Sequence, residues 1–177
     1  DGAEAVPYLA CGLTVGAFGG RAALIDAFDP RRADALPHAG TFNNNALTMA
    51  AGLTGLTQVY TAEAAEALNA RGDTLRGTLN AAFAEAGAPI VASGLGSLMN
   101  LHPVGEAPER PEDLTGADPR AREVMFLDLL EDGFYLARRG LVSLSLAIGD
   151  AETEALLAAV RARLPRWRAL FGAGEEE

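Results

Sequence analysis

Residues 61–89, TAEAAEALNARGDTLRGTLNAAFAEAGAP, contain the longest helical pattern of the chain. Thr61 is a typical N-cap residue, and Glu63 places a negative charge in the first turn. Four apolar residues then recur at helical spacing and share one face: Leu68, Leu75, Leu79 and Phe83. Because Gly87-Ala88-Pro89 cannot continue a helix, the stretch predicts one long amphipathic helix with a buried side.

Residues C-terminal to this helix alternate between strands and helices. Residues 90–92 and 97–102 read as short strands around a glycine turn at 94–96. Residues 103–117 are rich in proline and acid and predict a surface loop. Asp118 followed by Pro119 is a typical helix opening. This helix is expected to end at Gly133 and to bury Val124, Leu127 and Leu130.

Two more strands and a last helix are expected at the C-terminal end. Residues 134–137 and 141–147 read as strands joined by a short turn. Asp150 is the expected cap of the last helix, and Pro165 is expected to break it. Its inward-facing residues are Leu156, Leu157, Val160 and Leu164, and Trp167 is expected to dock one further turn.

The N-terminal part is rich in glycine and has too few predicted strands to close a core alone. Residues 8–20 read as a strand or turn with closely packed backbone. Residues 21–28 suit a short helix, and Asn43-Asn44-Asn45 supplies N-cap candidates for a helix over 47–59. The fold class is therefore α/β, with an α+β unit in the second part. The predicted boundaries are 1–60, 61–171 and a disordered tail over 172–177.

The composition excludes several classes of protein. The 177 residues are 49% hydrophobic and carry a formal net charge of −10, which disfavours nucleic acid and anionic membranes as partners. No apolar run is long enough to span a bilayer. One cysteine, Cys11, rules out a disulfide framework and suits a cytoplasmic location.

All 14 basic residues are arginine, and lysine is absent from the chain. No side-chain amine can therefore form a Schiff base or act as a lysine base. The alanine-rich composition offers codon bias as a simple cause. The chemical consequence holds whatever the cause.

Few motifs point to chemistry. His38, His102 and Cys11 share no metal-ligand spacing, so no metal site is predicted. The serine of Gly94-Leu95-Gly96-Ser97 stands one position late for a nucleophile elbow. Arg138-Arg139 suits either an anion clamp or a solvated pair. Gly40-Thr41, shortly before a helix, suits either an anion site or simple capping.

Four sequence blocks come in the order found in one enzyme family: GLTVGAFGGR at 12–21, HAGTFNNNALTMAAGL at 38–53, GLGSLMNLH at 94–102 and GFYLARRGLVSLSLAIGD at 133–150. Together they resemble the rear part of a class III, pyridoxal-phosphate-dependent aminotransferase. The nearest branch by these blocks is that of the glutamate-1-semialdehyde 2,1-aminomutases. The match covers roughly residues 8–164.

The resemblance implies a fold type I architecture: the end of the large cofactor domain, followed by the small C-terminal domain. It also implies a homodimer with the active site at the subunit interface. Thr41, preceded by Gly40, matches the threonine that reaches the cofactor phosphate of the neighbouring subunit. The substrates implied are a small amino acid or amino aldehyde and its acceptor.

The departures from the family pattern concern catalysis. Pro7 stands where relatives carry the Schiff-base lysine, and the aspartate that pairs with the pyridine nitrogen lies upstream of the matched blocks. Many class III aminotransferases have a substrate-binding arginine on the strand matching 141–147, where this chain has Ser143. That difference favours the aminomutase-like branch over a typical α-amino acid transaminase.

Three hypotheses follow. The chain is the C-terminal part of an aminotransferase or aminomutase, inactive by itself for lack of the lysine. Alternatively, it is a non-catalytic remnant that acts only in folding or in pairing with a full-length relative. The third hypothesis, an unrelated α+β binding module, requires all four ordered blocks to match by chance.

Overall fold

The computed structural model describes residues 4–7, 16–38, 40, 45–115 and 117–172, with backbone alone for 4–7 and 16–18. By its internal contacts the chain divides into two compact units, Asp1–Ala64 and Ala65–Glu177. The assignment of these parts to large and small aminotransferase domains stays a prediction.

In the first unit, strand β1 (Glu4–Pro7) pairs antiparallel with β2 (Gly16–Gly19). The sequence interpretation missed β1, because its four residues are too few for an alternating pattern. The short helix expected over 21–28 is confirmed as α1 (Ala22–Ile25) and a 3₁₀ turn at Asp26–Phe28.

The second helix of this unit, α2 (Ala46–Thr54), continues into a π-helical turn at Gly55–Val59. Asn45 is its N-cap, as the asparagine run predicts, and its Oδ1 accepts from the N–H groups of Leu47 and Thr48. Only glycines of this helix are buried, at positions 52 and 55, whereas its leucines are exposed.

The second unit is built on α3 (Ala62–Ala86), as its periodic pattern predicts. Thr61 caps the helix through its Oγ1, which accepts from the N–H of Ala64 at 3.2 Å. All four residues of the predicted stripe are buried. The helix ends before Gly87, whose positive φ of 61° turns the chain away.

A three-stranded antiparallel sheet follows in the order β3 (Val91–Leu95), β4 (Leu98–His102), β5 (Leu141–Ser143). The turn lies at 96–97 rather than 94–96, because Gly94 and Leu95 still pair with Met99 and Leu98. The strands expected at 134–137 and over all of 141–147 are wrong. The first has no regular structure, and the second shortens to β5.

Register divides the sheet into two faces. On the inner face the side chains are buried: Ala92, Met99, Leu101 and Val142. On the outer face, Ser93 lies opposite Asn100, which lies opposite Leu141, and Leu95 lies opposite Leu98. Leu95 and Leu98 are exposed.

Helix α4 (Pro119–Glu131) opens at Asp118, as expected, but buries a different face. Leu127 and Leu130 are exposed, and Val124 is half-buried. The buried residues are Ala121, Met125, Phe126, Asp128 and Leu129. The periodic pattern was misread because Asp128, a charged residue, points inward.

Asp128 is buried because the last helix, α5 (Asp150–Phe171), supplies its partners. The Trp167 indole Nε1 donates to Asp128 Oδ2 at 2.8 Å, and Arg166 Nε donates to the same oxygen at 3.1 Å. Trp167 is fully buried. These contacts hold the helix through Pro165, so the expected break there is wrong. The N-cap is Gly149 rather than Asp150, and Gly149 N–H donates to the side chain of Glu152.

Candidate functional site

The block expected to reach a cofactor phosphate is described only at its two ends. Gly40 is exposed and lies outside regular structure, whereas Thr41 lies outside the described residues. Asn45, at the other end, caps α2 with its side chain. The pairing of Gly40 and Thr41 with a phosphate therefore stays a prediction.

The N-terminus of α2 has few donors left for an anion. Asn45 Oδ1 accepts from Leu47 N and Thr48 N, and its carbonyl oxygen accepts from Met49 N. Of the first four N–H groups of the helix, that of Ala46 alone has no hydrogen-bond partner among the described residues. A phosphate near this helix would therefore depend on donors N-terminal to Asn45, which include Thr41.

Pro7, in the position of the family lysine, is the last residue of β1 and lies opposite Gly16. Proline is tolerated at a strand end because it has no N–H to donate to a ladder. Nowhere does the sequence contain a lysine that could take over the Schiff base. The residues present therefore do not fit a complete pyridoxal phosphate site.

The two arginines considered as an anion clamp are placed differently. Arg138 forms an ion pair with Glu123 and lies over the Phe126 ring at 4.8 Å from its centroid. Arg139 is exposed and has no ion-pair partner in the described part of the chain. Since Arg138 is already paired, the two guanidinium groups do not form a joint clamp in this structure. Ser143 is the exposed last residue of β5.

A polar pair that the sequence interpretation did not find lies on the outer face of the sheet. The Ser93 hydroxyl and His102 Nε2 are 2.9 Å apart, on neighbouring strands. Both residues line an open cleft of about 580 Å³, together with Asn100 and the segment around Arg110. The two residues are nine positions apart, so only the β3–β4 register brings them together.

His102 is held in its neutral form. Burial lowers the pKa of the imidazole below its usual value, and the positive charge of Arg122 lowers it further. His102 Nδ1 is buried and has no hydrogen-bond partner among the described residues. At neutral pH the ring can therefore accept or donate a proton in a hydrogen bond with Ser93 without carrying charge.

Other kinds of site find no support in the described residues. Within them, no group of three or more His, Cys, Asp and Glu side chains could hold a metal ion. Likewise, none of the described helices is long and apolar enough to cross a membrane. Cys11 lies outside the described residues, whereas His38 makes an edge contact with Phe28.

Comparison with known proteins identifies relatives along most of the chain. The sequence is 47% identical to a β-phenylalanine transaminase of Variovorax paradoxus over 86% of this chain and 35% of that protein. It is 31% identical to a glutamate-1-semialdehyde 2,1-aminomutase of Laribacter hongkongensis over 88% of this chain and 36% of the relative. No family model matches the sequence.

Solved structures agree with the sequence relatives. The Variovorax paradoxus β-phenylalanine aminotransferase superposes with a TM-score of 0.81 at 46% identity, over 88% of this chain and 36% of the other. A transaminase with pyridoxal phosphate bound superposes with a TM-score of 0.72 at 30% identity, over 93% of this chain and 38% of the other.

These relatives confirm the family indicated by the four sequence blocks. Identity is higher to the β-phenylalanine transaminase than to the aminomutase. The mixed α/β structure matches part of the class III enzymes, and the chain spans about a third of the length of these relatives. Over that shared stretch, the chain matches part of the class III aminotransferases in both sequence and fold.

Proposed function

We propose that this chain forms the C-terminal part of a pyridoxal-phosphate-dependent aminotransferase, and that it does not transfer amino groups by itself. The observation that carries the proposal is the similarity to the Variovorax paradoxus enzyme in both sequence and fold along most of the chain. The missing lysine supports the second half of the proposal, because the cofactor needs an amine to carry it and to move protons.

The amino donor we propose is a β-amino acid with an aromatic side chain. The relative that acts on β-phenylalanine by its name is 47% identical, against 31% for the aminomutase. Ser143, at the position where many class III enzymes have an arginine, is also consistent with a substrate other than an α-amino acid. An amino aldehyde is the competing donor.

In the complete enzyme we propose two roles for this part. Thr41 and Gly40 contact the cofactor phosphate of a neighbouring subunit in a homodimer, and the second unit forms the small domain. Both roles are inferred from the family and depend on a lysine and an aspartate supplied by another part of the polypeptide. The chemistry of amino transfer belongs to the bound cofactor.

Complementation tests the proposal. The 177-residue chain is assayed with pyridoxal phosphate, β-phenylalanine and an oxo acid, alone and after co-expression with the preceding part of the Variovorax paradoxus enzyme, including its lysine. We expect activity only in the combined sample. Activity of the chain alone would contradict the proposal, and so would a stable, inactive complex of the two parts.

A second candidate, a non-catalytic pairing module, is favoured by one specific observation. Residues 45–60 include no charged residue, yet Leu47 and Leu53 are 72% and 66% exposed. An uncharged helix with exposed leucines normally lies against another surface. Co-purification with a full-length relative, without gain of activity in the complementation assay, would favour this candidate.

A further inference from the structure

The cleft on the outer face of the sheet has the composition of a small-ligand site. Its lining is mostly apolar, with a few polar groups that converge from three segments, as is typical of such sites. The apolar lining consists of Leu95, Leu98, Pro108, Pro111, Leu114 and Leu141. The polar residues of the lining are Ser93, Asn100, His102, Glu109 and Arg110.

The Ser93–His102 pair offers one unused hydrogen-bond donor. A neutral imidazole carries one N–H, and the serine carries one O–H. The 2.9 Å contact between them uses one of these two hydrogens, whichever tautomer is present. Either His102 Nδ1–H or the Ser93 hydroxyl hydrogen is then left over, and neither has another hydrogen-bond partner among the described residues.

This spare donor belongs to a site that is built rather than superficial. His102 is only 5% exposed, and a buried ring nitrogen without a partner is uncommon in native proteins. Ser93 is half-buried and lines the cleft directly. When the ring hydrogen is on Nε2, the remaining hydrogen is that of the Ser93 hydroxyl, and an acceptor placed in the cleft could receive it.

Arg110 supplies the positive charge of the cleft, next to the negative charge of Glu109. Arg110 has no ion-pair partner in the described part of the chain. Its backbone is fixed because Asp113 Oδ2 accepts from the N–H groups of both Glu109 and Arg110 at 2.9 Å. A guanidinium group binds carboxylates in bidentate geometry, so the Arg110 end of the cleft is the part that suits an anionic acceptor.

We infer that this cleft binds a small amphipathic carboxylate, such as an aryl-substituted or alkyl-substituted acid. The carboxylate lies between Arg110 and the Ser93–His102 pair, and the apolar part lies on Leu95 and Leu98. The site is contained within the second unit. It depends on neither a cofactor nor the proposed amino transfer.

Nuclear magnetic resonance titration of the 177-residue chain with sodium phenylacetate tests the inference. We expect saturable shifts of the amide signals of residues 93–102 and 108–114. Benzyl alcohol, which keeps the ring but lacks the charge, is expected to bind more weakly. Each variant is first checked for an unchanged spectrum outside the cleft, so that loss of binding is not confused with loss of folding.

Two pairs of variants decide the outcome. Arg110→Gln is expected to weaken binding at least about tenfold, since it removes a charge-assisted contact. Ser93→Ala is expected to weaken it about threefold or more, since it removes the hydroxyl group that lines the cleft. Arg120→Gln and Ser145→Ala, which change residues outside the cleft lining, are the matched controls. Shifts that do not saturate, or equal losses for Arg110→Gln and Arg120→Gln, would overturn the inference.

Discussion

The two units of this chain use apolar residues in opposite ways. Every buried hydrophobic side chain in the described residues belongs to the second unit, from Leu68 to Trp167. In the first unit, the leucines of α2 and the π-helical turn are exposed. Burial of apolar area is the main favourable contribution to folding. The difference therefore indicates that the second unit provides the stability of the chain and that the first has apolar surface left for contacts.

The largest expected effect is on the free energy of unfolding, when a buried side chain of the second unit and an exposed one of the first are each truncated. Phe83→Ala, in the buried stripe of α3, should lower the free energy of unfolding by about 3–5 kcal/mol. Leu53→Ala, on α2, should change it by less than about 0.5 kcal/mol because the side chain is already exposed. Urea unfolding followed by circular dichroism measures both. Similar losses for the two variants would break the comparison.

Two glycines of α3 sharpen the comparison between closely packed and open positions. An added Cβ at Gly72 would lie 2.1 Å from the carbonyl oxygen of Gly96, whereas nothing lies within 4 Å at Gly77. Gly72→Ala should destabilise the second unit by about 1–3 kcal/mol, because backbone must move. Gly77→Ala should stabilise it by up to about 1 kcal/mol, through helix propensity alone. Thermal unfolding of both variants checks the opposite signs.

The contact between α4 and α5 is expected to contribute a similar or smaller amount. Trp167→Phe removes the indole donor to Asp128 and leaves an apolar ring in place. We expect a loss of about 1–3 kcal/mol in unfolding free energy. A double-mutant cycle with Asp128→Ala isolates the pair, and a coupling energy near zero would show that the indole fills space without a hydrogen bond of consequence.

The smallest effect expected is the pH dependence of His102. Burial lowers the pKa of its imidazole in the folded state, so the unfolded chain binds the proton more tightly. Stability is then complete above the unfolded pKa of about 6.5 and declines as the pH falls below it, by at most about 1.4 kcal/mol per pH unit. His102→Gln should flatten the stability profile between pH 7.5 and about 5. Equal slopes of unfolding free energy against pH for the unchanged chain and for His102→Gln would contradict this prediction.

At lower pH, two carboxylates contribute to the pH dependence of stability. Hydrogen bonding from Arg163 lowers the pKa of Asp132, and hydrogen bonding from Arg120 lowers that of Asp118. Their contributions are present above their unfolded values near 4 and disappear as the pH falls further. Because both carboxyl groups are already ionised at pH 5 in the folded and the unfolded chain, they do not affect the His102→Gln comparison above that pH.

Local sequence predicted much of the second unit. Thr61, the stripe of α3 and Gly87 act within one helix, so their roles depend on neighbours a few residues away. Asp118-Pro119 predicted the start of α4 for the same reason. The family resemblance was also visible in four ordered blocks, and it is confirmed by relatives across most of the chain.

Long-range contacts explain why some of the predictions from sequence are wrong. Pro165 does not end α5, since Trp167 is held by Asp128, 39 positions earlier. The same bond turns the buried face of α4 away from Leu127 and Leu130. Residues 134–137 have the composition of a strand but do not pair with a neighbouring strand. Each of these outcomes depends on a partner that is distant in sequence.

The candidate sites also divide into those that the sequence determines and those that depend on long-range contacts. The sequence alone determines which chemical groups the chain has. It therefore determined the absence of lysine, the place of Pro7 in the family pattern and the choice of Gly40 and Thr41 as candidate phosphate-binding residues. The Ser93–His102 pair and its cleft were decided by the tertiary structure. Only the register of β3 against β4 brings a serine and a histidine within hydrogen-bond distance, and only folding buries the imidazole ring and lowers its pKa.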